Sequence, residues 1–145
     1  MKPRDLHDIE IDIILVRTTT LTRAERLARW ALLLERHDAR IRTLDSIELV
    51  PRRRRNGMRA EDSALSIAFA DPVLRDAGLE GETYGDVRAF FDLSHGDMHH
   101  LACRCHLGVA EQSRLTAARL RRMSAGPIAR ARDFMERLGR TFSPA

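Results

Sequence analysis

Lysine is all but missing from this chain: Lys2 stands alone against 24 arginines. So strong a bias is the mark of a GC-rich coding sequence, bacterial in style, before it says anything about function. Aromatic residues are scarce at 5%, and none is interleaved with the arginine run, which argues against a stacking platform for single-stranded nucleic acid. No apolar run approaches the ~18 residues that span a bilayer, so no membrane span is expected. Acids Asp5, Asp8, Glu10 and Asp12 interrupt the one hydrophobic segment near the start. No secretory leader is expected there, and the location expected is cytoplasmic. Cysteine occurs twice, at Cys103 and Cys105. On a helix their side chains diverge by roughly 200°, so they cannot pair and no disulfide framework is available. Glycine-rich phosphate loops, nucleotide fingerprints and paired catalytic carboxylates are absent as well.

What is present is a chain of 145 residues, expected as one domain over 1–145 and long enough to bury roughly 68–70% of its unfolded surface. Its net charge of +4 is unevenly spread. Residues 1–50 balance, 51–60 carry +5, 61–100 carry −7 and 101–145 carry +6. Such segregation suits a dipolar surface offered to a partner, or ends and a middle that attract one another.

Along the chain, 6–17 alternates isoleucine with acids, but Leu6, Ile9, Ile13 and Val16 also share a helical face, and the reading leans to helix. Thr22 and Glu25 form the pattern of a capping box before RAERLARWALLLERH, so an N-terminal helix is expected over 20–37. Ala24, Leu27, Ala28, Trp30, Ala31, Leu33 and Leu34 supply its apolar face. Ile41, Leu44, Ile47 and Val50 recur at intervals of three and fit either a helix or an irregular packed segment. Pro51 closes that stretch, and 51–59 reads as an exposed arginine-rich loop. Leu65, Ile67 and Phe69 alternate, which suggests a short strand within 63–70. Asp71-Pro72 opens a helix that Gly78 stops. A central helical hairpin is expected over 83–108, capped at Thr83 and Ser94, with Phe90, Phe91 and Met98 in its core. Basic helices follow over 109–139, with Leu115, Ala118 and Met123 facing inward on the first.

The sharpest chemical candidate lies in the second helix of the hairpin. His95, His99, Cys103 and His106 fall on one stripe, and imidazole with thiolate suits a zinc-type ion. His99 and His106 would stand about 10 Å apart along the axis, so another element, with Glu111 or His37 the nearest possibilities, would have to complete the site. The bland reading is a histidine-rich helix side with Cys103 and Cys105 packed as small hydrophobes. The same residues allow a Cys103 nucleophile with His99 or His106 as base, though without an oxyanion nest. The hairpin also resembles a helix-turn-helix, with Asp92-Leu93-Ser94 as its turn. Arg88 in place of a small residue and Asp92 in place of glycine depart from that motif. Finally, Arg52, Arg53, Arg54, Arg55 and Arg59 form a cationic run for an anionic surface or nucleic acid, or else a solvated loop. Arg114, Arg119, Arg121 and Arg122 are spread around their helix axis and read first as solubility.

The fold class expected is all-α: a single-domain irregular bundle of five to seven helices, with room for a short strand pair toward the N-terminal half. The function expected is a small, non-enzymatic protein-interaction or regulatory module that binds a protein partner or a second copy of itself. A zinc-type structural or sensory protein and a nucleic-acid-binding regulator are the alternatives.

Overall fold

Helix α1 spans Arg23–Arg36, and the computed structural model that contains it describes residues 20–45 and 47–126, with Met135, Leu138 and Gly139. Segment 6–17 and, apart from those three positions, the last expected helix lie outside the described residues. Thr22 starts α1 by accepting from the backbone N–H of Glu25 at 3.2 Å. The other half of a capping box is replaced: the Thr22 hydroxyl donates to the Glu25 carboxylate at 3.0 Å. Leu27, Trp30, Ala31 and Leu34 are buried, while Ala24 is exposed, so the apolar stripe is narrower than its letters suggest.

The chain then runs extended as β1 (Arg40–Arg42) and passes through a 3-10 turn at Ile47–Leu49. Ile41, Leu44 and Ile47 all point into the core, which makes this the packed irregular segment rather than a helix. The arginine-rich run folds as a single helical turn, α2 (Arg52–Arg55), instead of a loop. Residues 63–70 are helical too. In α3 (Ala64–Ala70), Ser63 and Ser66 cap each other's backbone in a full capping box. Ala64, Leu65 and Ala68 are the buried set, so the spacing that governs is helical and the apparent alternation at Ile67 and Phe69 is secondary. Helix α4 (Pro72–Asp76) begins on Asp71 as expected, and Gly78 leaves it at φ +120.

The hairpin consists of α5 (Tyr84–Phe90) and α6 (His95–Ala102). Thr83 and Ser94 cap them, the latter in a reciprocal box with Asp97. Asp92 turns the corner at φ +50, supplying the left-handed backbone that a glycine would otherwise provide. The second helix does not continue to Gly108. Cys103 adopts an extended conformation, bridges Leu44, and separates α6 from a single turn, α7 (Arg104–Leu107). Strand β2 (Ala110–Gln112) then pairs antiparallel with β1, placing Ile41 opposite Glu111. The strand pair therefore joins 40–42 to 110–112.

Helix α8 (Ser113–Ser124) packs more extensively on α1 than any other described pair of elements. Its buried face is Ser113, Thr116, Ala117 and Leu120. Of the expected inward residues Met123 packs against the core, but two are displaced: Leu115 is 43% exposed and Ala118 is also on the surface. Two hydroxyls on the buried side explain the difference, since the Thr116 hydroxyl donates to Glu111 and the Ser113 hydroxyl donates to the His37 carbonyl. Satisfied hydroxyls can be buried at little cost, and periodicity of apolar residues does not see them.

Trp30 knits these layers together. Its ring stacks on Phe91 at 4.4 Å, and its Nε1–H donates to the Ala64 carbonyl at 2.8 Å. Phe90 meets Phe91 edge-on at 4.8 Å, and Met98 and Leu101 close the core from α6. Among the described residues no helix is long and apolar enough to cross a membrane.

Candidate functional site

The fold brings together two features that are far apart in sequence, the arginine turn and the first histidine of the hairpin. Met58 and Asn56, just past α2, accept backbone hydrogen bonds from Tyr84 and Gly85 at 2.7 and 3.0 Å. The contact is close because residue 85 is glycine: a Cβ there would lie 2.8 Å from the Cβ of Asn56. Arg55 folds back to donate from Nε to the Val50 carbonyl at 2.8 Å. The turn is therefore pinned against the start of α5.

From that same start of α5, the Tyr84 hydroxyl lies 2.7 Å from His95 Nδ1, and the two rings stack at 5.8 Å. His95 is the first residue of α6, so Tyr84 ties the beginning of one helix to the beginning of the next. Arg88 is one turn along α5 from Tyr84, on the same side of the helix. Its Nε is buried without a hydrogen-bond partner, and its side chain forms no ion pair with a described residue. Burial, followed by the charges of Arg88, Arg52 and Arg55, holds the His95 imidazole below its ordinary pKa. At neutral pH the ring is thus uncharged, and its bond to Tyr84 occupies Nδ1.

Among the described residues, the other expected metal ligands do not gather around His95. Cys103 is wholly buried at the break between helices, where its thiol donates to Glu48 Oε2 at 3.4 Å. The extended backbone of Cys103 takes it off the helical stripe that was to carry His95, His99, Cys103 and His106. His99 stays on α6, its ring edge-on to His100 at 6.4 Å, and the side chain of His106 lies outside the described set. Among the described residues no group of three or more His, Cys, Asp or Glu side chains is placed to hold a metal ion. Glu111 is engaged by Arg119 at 2.7 Å and by Thr116 at 2.7 Å. Complete burial likewise denies Cys103 contact with a substrate.

Of the arginine run, Arg59 pairs with Glu82 at 3.2 Å on the surface. Arg52, Arg53 and Arg54 are exposed and form no ion pair with a described residue. As for the helix-turn-helix likeness, the turn has the required backbone, but α6 ends after eight residues and its first side chain is bonded to Tyr84. Sequence reasoning missed Tyr84 as a site residue and counted Arg88 only as a departure from a motif. The signal was present in the spacing of Tyr84 and Arg88, one turn apart on a short helix. Comparison of the chain with protein-family models, with curated proteins and with solved structures finds no match.

Proposed function

We propose that this protein is a small, non-enzymatic interaction module that docks an acidic protein partner on its α2 surface. The observation that carries this reading is the clustering of exposed positive charge on α2. Arg29, Arg104, Arg119 and Arg121 each meet an acid of the same chain at 2.6–2.8 Å. Arg52, Arg53 and Arg54 stand consecutively on one turn with no such acid among the described residues. Adjacent guanidinium groups without counter-charges favour a negatively charged partner.

Affinity capture from cell extract, run in parallel with the native chain and an R52Q/R53Q/R54Q variant, tests the proposal. The expected result is a discrete acidic protein held by the native chain, released by raised salt and lost in the variant. Equal retention by both chains overturns it, as does a strictly monomeric protein that retains nothing at moderate salt. Retention that disappears on nuclease treatment would replace the acidic protein with nucleic acid.

A further inference from the structure

We infer that Arg52, Arg55, Arg88 and His95, with Tyr84 as a positioning residue, form one composite site for a dianionic phosphate group. The inference rests on α2 being the binding surface and names the chemistry that surface recognises. Three elements contribute. The arginine turn is fixed to α5 through the Met58 and Asn56 carbonyls, α5 supplies Tyr84 and Arg88, and α6 supplies His95. Tyr84 engages Nδ1 of the imidazole, which leaves Nε2 as the ring nitrogen open to a ligand.

Charge decides what kind of ligand fits. The charges that act on the His95 imidazole are those of Arg88, Arg52 and Arg55, and all are cationic. Tyr84, itself titratable, meets the ring at Nδ1. A single carboxylate is well served by one guanidinium in fork geometry, so the arginines that α2 and α5 supply next to each other exceed what it can use. A phosphate monoester carries nearly two negative charges and three acceptor oxygens, and matches the set. Arg88 has a buried Nε without a hydrogen-bond partner, and its side chain has no acid of its own among the described residues.

Phosphate of this kind comes free in solution or attached to a partner protein, and the experiment separates the two. The full chain is titrated by NMR through the His95 imidazole, assigned with H95Q, in inorganic phosphate and in chloride of matched ionic strength. The expected result is a saturable rise in the His95 titration midpoint with phosphate alone, because a bound anion stabilises the imidazolium. In an R52Q/R55Q variant, whose fold is checked by its unfolding midpoint, the phosphate affinity drops roughly tenfold or more. A midpoint that moves equally in chloride, or a phosphate effect that survives in the variant, overturns the site.

A second arm uses a short phosphoserine peptide and its glutamate counterpart. Tighter binding of the phosphopeptide than of inorganic phosphate assigns the group to a partner protein, and the reverse order assigns it to free phosphate; both support the site. Equal binding of phosphoserine and glutamate peptides overturns the dianion but leaves the acidic-partner reading standing. If phosphate binds here while capture of a partner fails, the docking proposal falls and the site remains.

Discussion

Arg29 grips Asp71 with both arms of its guanidinium, Nε to Oδ2 at 2.9 Å and Nη2 to Oδ1 at 2.8 Å. The same carboxylate caps α4 through the Leu74 N–H at 3.2 Å, so one side chain joins α1 to the start of another helix. The Asp71 side chain is only 3% exposed, against 30% for Arg29. Arg29→Ala would strand a buried carboxylate, and a loss of about 3 kcal/mol is expected in chemical denaturation. Hydrogen bonding to Arg29, ahead of its charge, holds Asp71 below the usual carboxylate pKa. Its contribution is therefore complete above the unfolded value of 3.8 and disappears as pH falls through the lower folded value. In Arg29→Ala that acid limb is expected to flatten.

His95 gives the opposite kind of group but the same sign of slope. The unfolded chain protonates near 6.5, before the folded imidazole does. Stability is therefore expected to decline as pH drops through that value and to level off below the folded pKa. Thermal unfolding of the native chain and of H95Q, compared between about pH 7.5 and 5.5, checks this. The variant should show the shallower slope.

Gly85→Ala sets a Cβ against Asn56, where both the side chain and the Cα are within 3.1 Å. Overpacking of this kind costs about 1–2 kcal/mol. As α2 is pushed away, the influence of Arg52 and Arg55 on His95 weakens, and its titration midpoint is expected to rise toward the ordinary value. A lowered unfolding midpoint without that rise would detach the arginine turn from the histidine.

Trp30→Phe keeps a ring over Phe91 but removes the donor to the Ala64 carbonyl and leaves space in the core. A loss of about 2 kcal/mol is expected from urea denaturation.

Asp92→Gly should act the other way. Asp92 occupies φ +50, and its carbonyl, which accepts from Arg23 Nε at 3.2 Å, is retained on substitution. Relief of the left-handed strain is expected to raise stability by about 0.5 kcal/mol.

Helix starts were legible because they are written within three or four residues. Thr22, Asp71, Thr83 and Ser94 each bond a backbone N–H nearby, and each was visible in the letters. A short strand pair was expected, but its members were not legible, since Arg40–Arg42 is three residues long and its partner lies some seventy residues away. The break at Cys103 was hidden for a similar reason. Leu44 draws the chain out of helical form through its N–H to the Ala102 carbonyl at 2.8 Å, a distant contact that overrides local propensity. Of the candidate site, the arginine run and His95 were each apparent alone. Their convergence depends on Gly85 fitting against Asn56, which no pattern of charge or hydropathy records.

The union of α1 with α8, and of β1 with β2, has a temporal side. The flank of α1 that α8 covers leaves the ribosome long before Ala117 and Leu120 exist to shelter it. A nascent fragment ending at Gly108 would thus display bare core surface and invite chaperones, and folding would finish only once the late-made helix came home to the early one.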